Sequence, residues 1–390
     1  MASLAPALPL LPPAATVRPG PADCARLALR DWRELDRNAI ARWDDLADCA
    51  AEPNPFAESW YLLPSLRALD GEGEVRLAVL ESAGLWLGVL PVVRQADYYG
   101  WPLPHWTGWL HANAFLGTPL VAQGQESAFW RALLAALDRE GGSALFLHLR
   151  GIPLDGPARH ALDTVVGEDR RPCGLVHREE RALLCSDLAP ESYLEGSLSG
   201  KKRKELRRQH ARLAEQGDLT VERRTDGVGL DEWIASFLAL EAAGWKGRNG
   251  SALACSPATA QLFAAALEGA AVRGRVERLS LLLDGTPIAM LATFLGPPGA
   301  FAYKTAFDER LARFSPGVLL QRENLALLDR AGIAWCDSCA AADHPMIDHF
   351  WRERRAVGRL SFGLGGTFRR ALFRLLLSAE LGRRPTGVTA

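Results

Sequence analysis

The chain has 390 residues, 48% of them hydrophobic, with 45 Lys and Arg against 46 Asp and Glu. That length exceeds the usual single domain and predicts two, while a net charge of -1 excludes a global electrostatic coat for nucleic acid or anionic membrane, so any such contact has to be local. Seven sparse cysteines do not form a disulfide framework; they fit a reducing compartment, and the expected location is cytoplasmic.

In chain order, residues 1–22 read as a disordered Pro/Ala-rich tail: prolines at 6, 9, 12 and 13 break the apolar run and no early Lys or Arg makes it a signal peptide. No stretch reaches the roughly 18 to 20 unbroken apolar residues that cross a bilayer. A first unit, 23–188, starts with helices over 36–49 and 57–68. VRLAVLES (75–82) and LWLGVLPVV (85–93) then flank Ala83-Gly84 as a hairpin. A helix over 126–140 stops at Gly141-Gly142 before the strand ALFLHL (144–149).

A second unit, 189–365, opens on SGKKRKELRRQHARLAEQG (199–217), a helix with Leu206 and Leu213 on a narrow apolar seam. Lys201 to Lys204 put four cations in its first turn, where the helix dipole favours acids. Such a turn asks for an anion, which makes Lys201 and Arg203 candidate substrate contacts; a solvated interdomain face is the other reading. Helices over 230–243 and 257–271 follow. VERLSLLL (276–283) and TPIAMLATFL (286–295) flank Asp284-Gly285, a hairpin signal, and the strand FAYKTAF (301–307), a helix over 316–331 and the strand IAWCDS (333–338) complete the unit. The order of elements repeats after roughly 200 residues, so a mixed α/β fold present twice is expected. The last segment, 366–390, carries a basic amphipathic helix (366–381) suited to a membrane surface, a partner, or the second unit.

Chemistry concentrates in the second unit. In RFSPGV, Ser315 suits an N-cap, Pro316 the first helical position and Gly317 a close approach. With Arg310 and Arg313 just upstream, this helix start would fit an anion of pyrophosphate type; an ordinary capped helix is the other reading. In FAYKTAF, alternation sets Phe301, Tyr303, Thr305 and Phe307 on one face and Ala302, Lys304 and Ala306 on the other, leaving a cation in an open channel. Glu241 shares the apolar stripe of Ile234, Phe237 and Leu238; partial desolvation there would raise its pKa and make it a general base, unless it bends out to water. Trp245-Lys246-Gly247 offers an aromatic and a cation on a turn where substrate could stack. Asp337 is the next candidate acid or base, followed by His344 and Asp343, unless Asp343 only caps a helix near 345–353. Cys336 and Cys339 form a lone CxxC without a second pair, read as buried thiols; no metal is expected.

Helix, helix, hairpin, strand, helix, strand resembles the GNAT acyltransferase fold, here as two tandem GNAT-like domains. SGKKRKELRR (199–208), LEAAGWKG (240–247), YKTAFDERLARFSPGVLL (303–320), the CDS strand and DHPM (343–346) are similar to the CelD-like branch, cellulose-biosynthesis-associated acetyltransferases, and more distantly to the Fem peptidyltransferases. The likeness spans about residues 25–360. It implies acetyl-CoA or another acyl-CoA as donor, an amine (small molecule or glycan) as acceptor, and direct attack without a covalent enzyme intermediate. Carried onto this sequence, the donor's pyrophosphate would meet Arg313, Phe314, Ser315, Gly317 and Val318. Its pantetheine arm would meet Lys304, Thr305 and Ala306, and Tyr303, Trp245 and Lys246 would face the acceptor. The first domain lacks a comparable helix start, so it would shape the acceptor cleft. Two other readings stand beside this one: a Fem-like aminoacyl-tRNA-dependent transferase with RNA on the 201–212 run, and a non-catalytic scaffold in exopolysaccharide assembly recruited through the C-terminal helix.

Overall fold

Both hairpins close through left-handed turns, Ala83 and Gly84 at φ 50 and 77, Asp284 and Gly285 at φ 49 and 75, the conformation that matches the twist of two flanking strands. Around them the structure, a computed structural model, describes residues 25–382 except 141, 343 and 345. The tail expected over 1–22 and Asp343 therefore lie outside the described residues.

The first half runs β1 (Arg26–Asp31), α1 (Arg37–Asp48), α2 (Ser59–Leu69), β2 (Arg76–Ser82), β3 (Leu85–Gln95), β4 (His105–Gly108), β5 (Leu120–Val121), α3 (Glu126–Glu140), β6 (Phe146–Pro153), α4 (Pro157–Glu168) and β7 (Cys173–Leu184). Helices α5 (Pro190–Ser197) and α6 (Gly200–Ala214) lead on to β8 (Leu219–Arg224), α7 (Leu230–Ala243), α8 (Trp245–Arg248), α9 (Pro257–Val272), β9 (Val276–Leu283), β10 (Thr286–Gly296) and β11 (Gly299–Phe307). The chain ends with α10 (Pro316–Asn324), β12 (Trp335–Asp337), β13 (Glu353–Gly363) and α11 (Thr367–Leu381). The helix expected over 316–331 is α-helical only to Asn324 and continues as a 3-10 turn. Where a helix was expected near 345–353, the described residues form turns that pass into β13.

Among the described residues the strands form one sheet in the order β1-β2-β3-β4-β6-β13-β7-β12-β11-β10-β9-β8, with β5 beside β3. Two pairs in it are parallel, β4 with β6 and β11 with β12. At its centre the halves exchange strands. β13, which the sequence groups with the second unit, lies between β6 and β7 of the first, and β7 reaches across to β12 of the second. Physically, β13 completes one sheet face over the first-half core, where Leu360 and Phe362 are buried with Leu147 and Leu162. Hydrogen bonding between strands, rather than chain order, thus decides which half a strand serves.

Helices cover both faces. α3 and α4 pack one side of the first half and α1 and α2 the other; α6 and α10 pack one side of the second half. The fourth core joins the halves, setting Phe56, Trp60 and Tyr61 against Phe237, Phe263, Phe294 and Tyr303. Burying one such side chain is worth about 1.5–3 kcal/mol. α2 and α9 come so close that a Cβ on Gly269 would lie 2.9 Å from Cβ of Trp60. The C-terminal helix docks by Phe373 and Leu377 on Phe146, with Tyr98 donating to Glu380. It therefore sits on the first-half sheet and not on the second unit, because the exchanged β13 delivers it there.

Candidate functional site

β11 and β12 pair in parallel only from Gly299–Trp335 to Phe301–Asp337. Beyond that point β11 continues alone on this edge, and the sheet opens. A bulge shapes the opening: Ala292 pairs Lys304 and Thr293 pairs Ala302, leaving Tyr303 without an opposite residue. An extra residue reverses the alternation, so Tyr303 and Ala306 share the core between the halves with Phe301, while Phe307 packs the other side. The expected division of FAYKTAF into two faces fails for that reason.

Lys304 is placed by the bulge in the seam between the halves. Its ammonium donates to Asn113 Oδ1 at 2.8 Å and lies 5.3 Å from the Phe115 ring and 5.6 Å from the Tyr303 ring. Burial, then the nearby Lys246 cation, brings its pKa down to about 8. The segment 109–115 supplies further groups: Tyr61 donates to the Asn113 carbonyl at 2.5 Å and meets Tyr303 hydroxyl to hydroxyl at 3.2 Å. His111 stacks on Tyr61, and its Nδ1 accepts from the Asn113 N–H. The neutral ring therefore carries its proton on Nε2, a buried donor with no partner among the described residues. Burial and Lys304 hold the His111 pKa down at about 4, so the ring is neutral at physiological pH. Nothing local in WLHANAF announces these groups, since Lys304, the partner of Asn113, lies 191 residues downstream and Tyr61, on which His111 stacks, belongs to α2.

The expected carboxylate bases are committed elsewhere. Glu241 is buried as its stripe predicted, but one oxygen takes the Lys246 ammonium at 2.8 Å and the other the Leu253 N–H at 2.7 Å. A buried carboxylate needs partners, and here they fasten the 246–253 turn; Lys246 also donates to the Thr305 carbonyl. Asp337 is fully buried and accepts from Arg181 at 2.6 Å, Arg355 at 3.1 Å and the Cys339 N–H. It ties β12 to the exchanged strands β7 and β13, a structural role. His344 Nδ1 is buried without a partner among the described residues, and burial lowers its pKa from the ordinary value against the opposing pull of Asp348. Trp245 is half exposed, its N–H held by Glu309, which also pairs Arg248.

The helix start at 315 differs from expectation. Ser315 is left-handed (φ 54, ψ 52) and its side chain caps nothing; its carbonyl instead takes the N–H groups of Val318 and Leu319. A Cβ on Gly317 would lie 2.8 Å from the Met346 sulfur and 3.2 Å from the Phe307 ring. On that side the glycine makes room for the Met346 and Phe307 side chains. Arg310 grips Asp308, and exposed Arg313 lies over the Phe314 ring. Helix α6 runs beside this turn, Gln209 donating to the Arg313 carbonyl. Arg203 pairs Glu195 and, with Arg207 and Arg322, lines a 400 Å³ groove, while Lys201 is exposed. The structure thus gathers Lys304, Tyr303, Ala306, Lys246, Glu241 and His344 around the seam, and groups Arg313 with α6 separately. Cys336 and Cys339 are both buried and free, and no helix among the described residues is long and apolar enough to cross a membrane.

No curated protein sequence matches the chain. Solved structures do. FemX superposes with a TM-score of 0.55 at 10% identity, over 86% of this chain and 98% of that one. A conserved protein of unknown function from Bacteroides thetaiotaomicron gives 0.53 at 12%, over 83% and 97%. The C-terminal domain of a putative lysylphosphatidylglycerol synthetase from Agrobacterium fabrum gives 0.52 at 14%, over 90% and 100%. At such identities the likeness is one of fold. Residues 200–352, which contain the bulged β11, the opening beside it and Lys304, match the family model described as acetyltransferase (GNAT) domain.

Proposed function

We propose that the protein is an N-acyltransferase that joins an acyl group from an acyl-CoA to an amine in the seam around Lys304. One observation carries the reading: the sheet opens after the Phe301–Asp337 pair, and a bulge sets the Lys304 ammonium inside that opening. A donor carbonyl lying along 302–306 has this ammonium as a fixed counter-charge for the oxyanion that forms on attack. The acceptor nitrogen bonds to the carbonyl carbon, the carbon–sulfur bond breaks, and the ammonium proton passes to neutral His344 and on to the thiolate. First-half residues Asn113 and His111 close the acceptor side.

A second reading, an aminoacyl-tRNA donor, is favoured by the exposed cations of α6. Thermal shift separates them. Saturating acetyl-CoA is expected to raise Tm by several degrees, since a ligand at 100 times its Kd adds about 2.7 kcal/mol. Stabilisation by charged tRNA alone would transfer the assignment to the second reading, and a response to neither would leave a scaffold.

A further inference from the structure

The first half carries its own polar site, on the parallel joint β4–β6 that corresponds to β11–β12. There Trp106 pairs Leu147 and Thr107 pairs His148. On one face of this joint the sheet buries a row of polar side chains, His105, Thr107, His148 and Ser361, each under 7% exposed. Such groups cost free energy in an interior unless they are paired. His148 is paired on one side only: Nδ1 meets Ser361 Oγ at 3.0 Å, and Nε2 is buried without a partner among the described residues. Above the row lies a 340 Å³ cavity lined by His105, His148, Arg150, Tyr98, Tyr99 and Trp109 among others.

Its electrostatics point to one class of occupant. Arg150 donates to the Leu110 carbonyl and Arg359, on exchanged β13, to the Tyr99 hydroxyl. Neither forms an ion pair among the described residues. Burial and mutual repulsion with Arg359 lower the Arg150 pKa, and His148 is held neutral, down at about 3, chiefly by burial. The one carboxylate on the lining, Asp97, is exposed and takes the Gly100 N–H.

We propose that this cavity binds a small oxyanion-bearing ligand, a phosphate monoester or carboxylate, with its anionic group on Arg150, the His148 ring beneath it and aromatic walls at Tyr98 and Trp109. The site is separate from Lys304 itself, although its Trp109 wall lies 5.2 Å from the His111 ring, and β13 brings Ser361 and Arg359 to it.

The test is NMR of the full chain with 15N-labelled histidine, titrated separately with inorganic phosphate, phenyl phosphate and benzoate. At least one probe should shift the His148 and His105 signals saturably. Arg150→Met should weaken that response about tenfold or more, as expected for loss of a charge-assisted contact. Lys304→Met should leave it unchanged. Should Arg150→Met not fold, Arg359→Met serves the same comparison. No saturable shift with any of the three probes, or a shift that survives both arginine replacements, overturns the proposal.

Discussion

Lys304→Met is expected to reduce acyl transfer by about 100- to 1,000-fold while making the protein more stable. The fold pays for a buried ammonium: the pKa falls from 10.5 to about 8, which corresponds to roughly 3 kcal/mol at neutral pH at about 1.4 kcal/mol per unit. Loss of the donor to Asn113 returns about 1 kcal/mol of this, leaving a net gain of about 2 kcal/mol. The sign follows from proton binding. Between pH 8 and 10.5 the unfolded chain holds the lysine proton and the folded protein does not, so stability rises with pH in that window and the penalty is complete below pH 8. Urea unfolding of wild type and variant at pH 7 and pH 10 reads this directly: the difference should shrink at the higher pH. Catalysis runs the other way. A role for the charged form predicts a fall in kcat/KM above about pH 8, a limb that Lys304→Arg should abolish because a guanidinium stays protonated.

The second large effect concerns the exchanged strands. A chain ending at residue 352 is expected to lose the first half as well as the end of the second. Without β13, β6 and β7 lose their shared neighbour, Leu360 and Phe362 leave the first-half core, and Asp337 loses Arg355. Each large apolar side chain withdrawn from a core costs about 1.5–3 kcal/mol, against a total stability of about 5–15 kcal/mol for a native protein. Hydrogen exchange should find the amides of 146–153 unprotected in the shortened chain. By the same logic, residues 1–188 expressed alone should not unfold cooperatively; a stable, cooperatively unfolding fragment would refute the exchange as the device that holds the halves together.

Local pattern was enough where a segment's neighbours are near in sequence. Ala83-Gly84 and Asp284-Gly285 mark both hairpins, and the helices over 126–140 and 230–243 stand where periodicity put them. β13 escaped notice because ERRAVGRLSFG mixes three arginines with its apolar residues, and its partners lie 170 to 217 residues upstream, from the Glu353–Leu183 pair to the Gly363–Phe146 pair. The bulge at Tyr303 has no signal in FAYKTAF, so one unforeseen residue inverted the faces. Glu241 was rightly placed on a buried stripe, but what a buried carboxylate does depends on what reaches it, and Lys246 and the Leu253 N–H arrive from a turn whose path the sequence does not specify. Lys304 was legible as an unusual cation; Asn113, Phe115 and His111, which give it its environment, belong to the other half of the molecule.

The most direct measurement of the transfer centre is peptide mapping after reaction with bromoacetyl-CoA, whose electrophilic carbon sits where the transferred acyl group would. At about pH 8.5, where the Lys304 amine is largely unprotonated, the label should fall on Lys304, be suppressed by excess acetyl-CoA, and be absent with bromoacetamide at the same concentration. A CoA-dependent label on a residue outside the seam between 109–115 and β11, or no CoA-dependent label at all, would contradict the account.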